Sequence, residues 1–126
     1  MVVDSSALMA ITLEEEAADQ CGAALVQASE LIMSAAILAE VLVVAQNRGL
    51  ASKLQGLIDS LGIDIMPVTD TTAEQVAYVY KTWGKGHHKA SLNLMDCFSY
   101  ALAKERNCPL LFIGNDFSQT DIESAL

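Results

Sequence analysis

Residues 92–103 read LNLMDCFSYALA, a helix in which Leu92, Leu94, Met95, Phe98, Ala101 and Leu102 supply apolar matter on nearly every side. Its one charge is Asp96. An unpaired carboxylate in such surroundings costs on the order of several kcal/mol or takes up a proton. A folded chain keeps such a group where something positive, often a metal ion, stands against it. Whether other carboxylates converge on Asp96 therefore decides what the helix is for.

Ahead of this helix lies the loop Gly84-Lys-Gly-His-His-Lys-Ala90, and ahead of the loop a helix with Val76, Val79, Tyr80 and Trp83 on its buried face. Thr71 and Glu74 have capping-box spacing at the start of that helix. After residue 103, Pro109 interrupts the chain, Leu110–Ile113 reads as a buried strand and Gly114-Asn115-Asp116 as a sharp turn. One helical turn and a short last strand are expected between Phe117 and Leu126. Nearer the N-terminus, Ile63–Val68 fits a strand near a sheet edge, where Pro67 is tolerated. Gly62 caps the helix before it, whose stripe is Leu50, Leu54, Leu57, Ile58 and Leu61. Leu31–Met33 reads as another buried strand, and Ser34 caps a helix from Ala35 to about Asn47 that is apolar almost all round. Such a helix belongs in the core or at a subunit interface, yet it holds Glu40 beside Ile37, Val43 and Val44. Met1-Val2-Val3 reads as a strand ending at Asp4. Thr12 and Glu15 then have capping-box spacing for a helix with Ala17, Cys21, Ala24, Leu25 and Ala28 on one face. Strands alternating with helices predict one α/β domain over residues 1–126, a three-layer α/β/α sandwich with a mainly parallel central sheet of four to five strands.

With 52% hydrophobic and 18% charged residues, the composition excludes disorder and points to surface buried against a second copy of the chain. The longest apolar run, Leu31 to Ala45, is broken by Glu40 and is shorter than the roughly 20 residues a bilayer requires. No secretion-signal pattern is visible, and Cys21, Cys97 and Cys108 form no CxxC pair, so reduced thiols in a cytoplasmic protein are expected. The net charge of −9 argues against nucleic acid taken alone. A metal-binding acidic cluster would supply several of those charges, however, and bound cations reverse the local sign. Lys81, Lys85, His87, His88 and Lys89 gather in one short segment, where phosphate contact is the functional reading and a plain solvent loop the simpler one.

In an open parallel sheet, ligands bind outside the carboxyl ends of the strands. Asp4 and Asp116 follow such ends, Glu40 lies in the second turn of a helix after another, and Asp96 sits near the N-terminus of its own helix. Each has a structural reading beside the functional one. Asp4 is also a natural N-cap and Asp116 a natural turn residue. Glu40 and Asp96 would also serve as satisfied core groups beside Arg48, Lys104 or a backbone amide. Together, at one sheet edge, they form a set of oxygen ligands of the kind that selects Mg²⁺ or Mn²⁺. Such ions activate water and stabilise charge on an attacked phosphodiester. No Ser-His-Asp or Cys-His nucleophile set is evident, and without GxGxxG or a Walker lysine no nucleotide cofactor is expected.

VVDSSALMA (2–10), SAAILAEVLVVA (34–45), LNLMDCFSYALA (92–103) and LLFIGNDFSQTDI (110–122) resemble the PIN-domain ribonucleases, and within them the VapC-type toxins of toxin–antitoxin pairs. The resemblance covers essentially the whole chain in order. It implies that Asp4, Glu40, Asp96 and Asp116 form a catalytic metal site, with Ser6, Asn93 and Thr120 as neutral supports and Asp121 as an outer-shell acid. It also implies a metal-dependent endoribonuclease acting on tRNA or another structured RNA, a homodimer, and an antitoxin whose tail blocks the site. Met95 stands where such toxins often have a small residue. A PIN-like module that binds RNA or protein without cutting, and a DNA-directed nuclease of the same superfamily, are the competing readings.

Overall fold

Side chains alternate across the short strands, so each strand presents one apolar residue to either face. The computed structural model describes residues 1–126. Strand β1 (Val2–Val3) leads into helices α1 (Ser5–Thr12) and α2 (Ala18–Gln27), then β2 (Ile32–Ser34), α3 (Ala35–Asn47) and α4 (Ala51–Leu61). The chain continues through β3 (Asp64–Met66), α5 (Asp70–Trp83), α6 (Leu94–Arg106) and β4 (Leu110–Leu111). The four strands form one parallel sheet in the order β3-β2-β1-β4. The expected last strand survives only as a parallel bridge between Leu110 and Ser124.

Val3, Met33 and Leu111 face a core shared with α1 to α4, including Leu8, Ile37, Val41 and Leu54. Val2, Ile32 and Leu110 face the opposite core, shared with α5 and α6 through Val76, Val79, Leu92, Cys97 and Leu102. Helices therefore cover both faces, as the three-layer expectation required. Full burial of each such aliphatic side chain is worth about 1.5–3 kcal/mol, which sets the strand register firmly. No helix is long and apolar enough to cross a membrane.

Two helix starts differ from the expectation. Thr12 caps nothing: it ends α1, buried, with its hydroxyl donating to the Leu8 carbonyl at 2.7 Å. The apolar run Ala7-Leu8-Met9-Ala10 carries α1 straight on from β1, so the chain turns later, at Glu14 (φ 58°). The capping box of α5 is Thr69 with Thr72, two residues before the expected pair, because Thr69 is the residue left in extended backbone. Gly62 does close α4 in the left-handed conformation, and β3 is the sheet edge, with Pro67 just beyond it. Gly84 ends α5 where a Cβ would lie 2.3 Å from the Tyr80 carbonyl oxygen, so the chain leaves the helix there only as glycine.

Candidate active site

The carboxyl ends of β1, β2 and β4 open at one edge of the sheet, and α6 begins at that edge. Asp4 is both things its sequence position suggested. It is the N-cap of α1, and it is buried to 5% exposure. Its Oδ2 accepts the Ser6 backbone N–H (3.1 Å) and the Ser6 hydroxyl (2.6 Å), and its Oδ1 accepts the Ser99 hydroxyl (2.6 Å). The Ser6 hydroxyl oxygen also accepts the Ile113 N–H at 3.1 Å, which ties the strand end before Asp116 to the start of α1. Ser5 donates to Glu40 Oε2 at 2.9 Å. Both serines at the start of α1 thus hold an acid.

Asp96 is the third residue of α6 and forms a reciprocal capping box with Asn93. Asn93 Oδ1 accepts the Asp96 N–H and Asp96 Oδ2 accepts the Asn93 N–H, each at 2.8 Å. Burial raises the Asp96 carboxyl from its ordinary 3.8 to about 6, against the Asn93 N–H, which lowers it. The charges of Asp4, Asp116 and Glu40 contribute to that rise. All three other acids are therefore near enough to act on Asp96. No cation offsets them: the two ion pairs of the chain are Lys53–Glu14 and Lys104–Asp121. Cys97, adjacent in sequence, stays a thiol, its pKa pushed up to about 11 by burial and then by the Asp96 charge. Asp116 is exposed, on a turn pinned by Phe117, whose buried ring packs on Phe112 at 4.9 Å.

Other expected site residues lie elsewhere. Thr120 donates to the Phe117 carbonyl (2.7 Å) and accepts the Ile122 N–H (3.3 Å), shaping its own turn and meeting no acid. Asp121 is held by Tyr100 and Lys104, whose contacts lower its pKa, Tyr100 most of all. Those partners lie one and two turns along α6 from Asp96, about 6 and 12 Å, and Asp121 makes no hydrogen bond to the four acids or to the serines and Asn93 that hold them. Lys85, His87 and Lys89 are exposed on a loop whose exit, Leu92, is buried immediately before Asn93. His88 is structural, with Nδ1 accepting the Ala90 N–H at 3.0 Å and its ring edge-on to Trp83. The largest groove, about 570 Å³, runs between α5 and α6 beside Tyr78, Val79 and Lys104 and includes none of the four acids.

Sequence reasoning did not single out Ser5 or Ser99. Ser99 had a signal, since it stands three residues after Asp96 and so shares its helix face. Ser5 had none beyond its place next to Asp4.

No three His, Cys, Asp or Glu side chains stand close enough to hold an ion by themselves. The donors at this edge are carboxylate and hydroxyl oxygens, without imidazole or thiolate. That set fits a hard cation that keeps its water, as Mg²⁺ does when bound through one or two carboxylates and a substrate phosphate.

Against known proteins, the PIN domain matches residues 1–123. The chain belongs to the PIN-domain family, among its VapC ribonucleases. Over 126 residues it is 39% identical to ribonuclease VapC30 of Mycobacterium tuberculosis, covering 97% of this chain and 95% of that protein. Ribonuclease VapC42 of the same species is 38% identical over 129 residues, covering 99% of this chain and 98% of its own. The fold is similar to that of M. tuberculosis VapC20, a sarcin–ricin loop cleaving toxin, at a TM-score of 0.79 and 16% identity, covering 96% of this chain and 95% of that one. A toxin–antitoxin complex from Klebsiella pneumoniae matches at 0.73 and 17% identity, covering 95% of this chain and 92% of that one. As a PIN-domain ribonuclease, the chain belongs to a family that is generally dependent on divalent metal.

Proposed function

We propose that this ribonuclease is the toxin of a toxin–antitoxin pair and hydrolyses internal phosphodiester bonds of a structured RNA, tRNA among the candidates. Mg²⁺ or Mn²⁺ would be held among Asp4, Glu40, Asp96 and Asp116. The observation that carries this reading is the setting of Asp96: burial raises its pKa, the charges of Asp4, Asp116 and Glu40 add to the rise, and no salt bridge answers any of the four. Such an arrangement is stable with a cation and strained without one.

When bound, the divalent ion supplies an activated water and neutralises charge on the attacked phosphate. The protein's own part is geometric. Asp4 is clamped by three donors, and Glu40 is oriented by the Ser5 hydroxyl. Asp96 keeps Oδ1 free of hydrogen bonds while Oδ2 is held by the Asn93 N–H, so Oδ1 would be the atom that carries the proton and, once deprotonated, would serve as the ligand. Lys85, His87 and Lys89, exposed at the same edge, suit contacts to flanking phosphates. Among the similar structures, a toxin–antitoxin complex supports a protein partner, and a basic residue of its tail would satisfy the acids. A homodimer is supported by α3, where Val43 is exposed and Leu38 and Leu42 are half-buried on a helix with one charge.

The test is Asp96→Asn, which keeps the size and the capping acceptor while removing the charge. It should fold normally and lose Mg²⁺- or Mn²⁺-dependent cleavage by at least about 10²-fold. Cleavage at the wild-type rate would end the metal-site reading. RNA binding by the wild type without turnover, even at high Mn²⁺, would favour a non-cutting module. Cutting of DNA in place of RNA would redirect the substrate.

A further inference from the structure

Ser99 is fully buried in the middle of α6. A helical serine facing a core ordinarily returns its hydroxyl to the carbonyl one turn back. Ser99 instead donates across to Asp4 Oδ1 at 2.6 Å, joining positions 95 residues apart. On the other carboxylate oxygen, the Ser6 hydroxyl and the Ser6 N–H both bond Oδ2. A carboxylate offers roughly four lone-pair directions, two on each oxygen. Three of the four at Asp4 are occupied, and the one left is on Oδ1.

We infer that Ser99 is a positioning residue for the metal site, fixing the Asp4 carboxylate so that it presents a single lone pair of Oδ1, as a one-oxygen ligand, to the cation. The geometry also explains why the bond comes from α6. The helix that carries Asp96 is tied through Ser99 to the strand end that carries Asp4. Ser6, by accepting the Ile113 N–H, ties the same carboxylate to the strand before Asp116, and Ser5 holds Glu40. Serine hydroxyls thus link the segment of each remaining acid to the start of α1. With no cationic side chain paired to these acids, they are what sets the spacing of mutually repelling groups before an ion arrives.

This inference rests on the reading of the four acids as metal ligands, and one titration separates the two. Mn²⁺ binding to the full chain is measured by calorimetry for the wild type and Ser99→Ala, with thermal melts of both in EDTA. The expected result is a folded Ser99→Ala protein whose Mn²⁺ dissociation constant rises by at least about tenfold, the usual effect of losing a hydrogen bond that orients a ligand. RNA cleavage by this variant should recover as Mn²⁺ is raised. A lower melting temperature with unchanged Mn²⁺ affinity would overturn the inference and leave Ser99 a core hydroxyl. Absence of Mn²⁺ binding in the wild type would instead overturn the metal-site reading itself. If Ser99→Ala does not fold, Ser99→Cys, with a similar volume and a weak donor, carries the same expectation. If neither folds, the hydroxyl serves the fold and the positioning role is withdrawn.

Discussion

At the scale of single residues, Asp96 couples stability to pH and, on the proposed reading, to metal. Its folded pKa is raised to about 6 from 3.8, so between those values the folded protein holds a proton that the unfolded chain has released. Stability from this group is therefore greatest below about pH 4 and falls as pH rises through 6, opposite to an acid held by a salt bridge. In EDTA, the Asp96→Asn variant should lose this downward slope between pH 4 and 7 in thermal melts. Adding Mg²⁺ at pH 7.5 should raise the melting temperature of the wild type, and the rise should shrink below pH 6 as protons compete for the same oxygen. Asp121 makes the contrasting case. Its carboxylate is exposed and served by Tyr100 and Lys104, so Asp121→Asn should cost no more than about 1 kcal/mol. Mn²⁺ affinity should be unchanged in that variant; a weakened affinity would restore Asp121 to the site.

Among the elements, the passage from α5 to α6 carries most of the site's geometry. The loop is pinned by paired bonds, Lys85 N–H to the Leu92 carbonyl and Leu92 N–H to the Trp83 carbonyl, and this holds Asn93 in register for its capping box. Gly84→Ala would drive a methyl group into the Tyr80 carbonyl and ring. The expected cost is about 1–3 kcal/mol in denaturant melts, together with weaker Mn²⁺ binding as the start of α6 shifts. Helix boundaries were the part of the sequence read least well, and Thr12 and Thr69 show why. Both sit in spacings that satisfy a capping rule or narrowly miss one. Which threonine caps depends on where the backbone leaves the extended region, and that is set by how far α1 and α5 must run to bury their apolar faces.

For the molecule as a whole, the charge of −9 is distributed unevenly. Lys53 and Lys104 are spent on surface pairs, while Lys85 and Lys89 stay exposed and unpaired on the loop before the acids. On the proposed reading, RNA approaches the acidic edge from the flank that carries Lys85 and Lys89. Lys85→Ala combined with Lys89→Ala should weaken RNA binding across sequences and reduce the slope of log affinity against log salt by about 1 to 2. A filter-binding series from low to high salt checks this, and an unchanged slope would place the RNA elsewhere.

Much of this protein was legible in the order of its residues. The buried strands and apolar helices announce a parallel sheet covered on both faces, because burial of aliphatic side chains enforces the same periodicity wherever the chain goes. Asp96 and Glu40 were legible as well, since a charge surrounded by apolar residues is costly in any fold. Tertiary structure alone decided what reaches Asp4 and Glu40 from other segments of the chain. Ser99 reaches Asp4 across 95 positions and Ile113 reaches Ser6 across 107. Neither bond has a local signature, because a hydroxyl in a helix looks the same whether it returns to its own backbone or crosses to another segment. The bonds of Thr120 and Asp121, within their own turn and to α6, were illegible for the converse reason: nearness to Asp116 in sequence says nothing about the direction a turn gives a side chain.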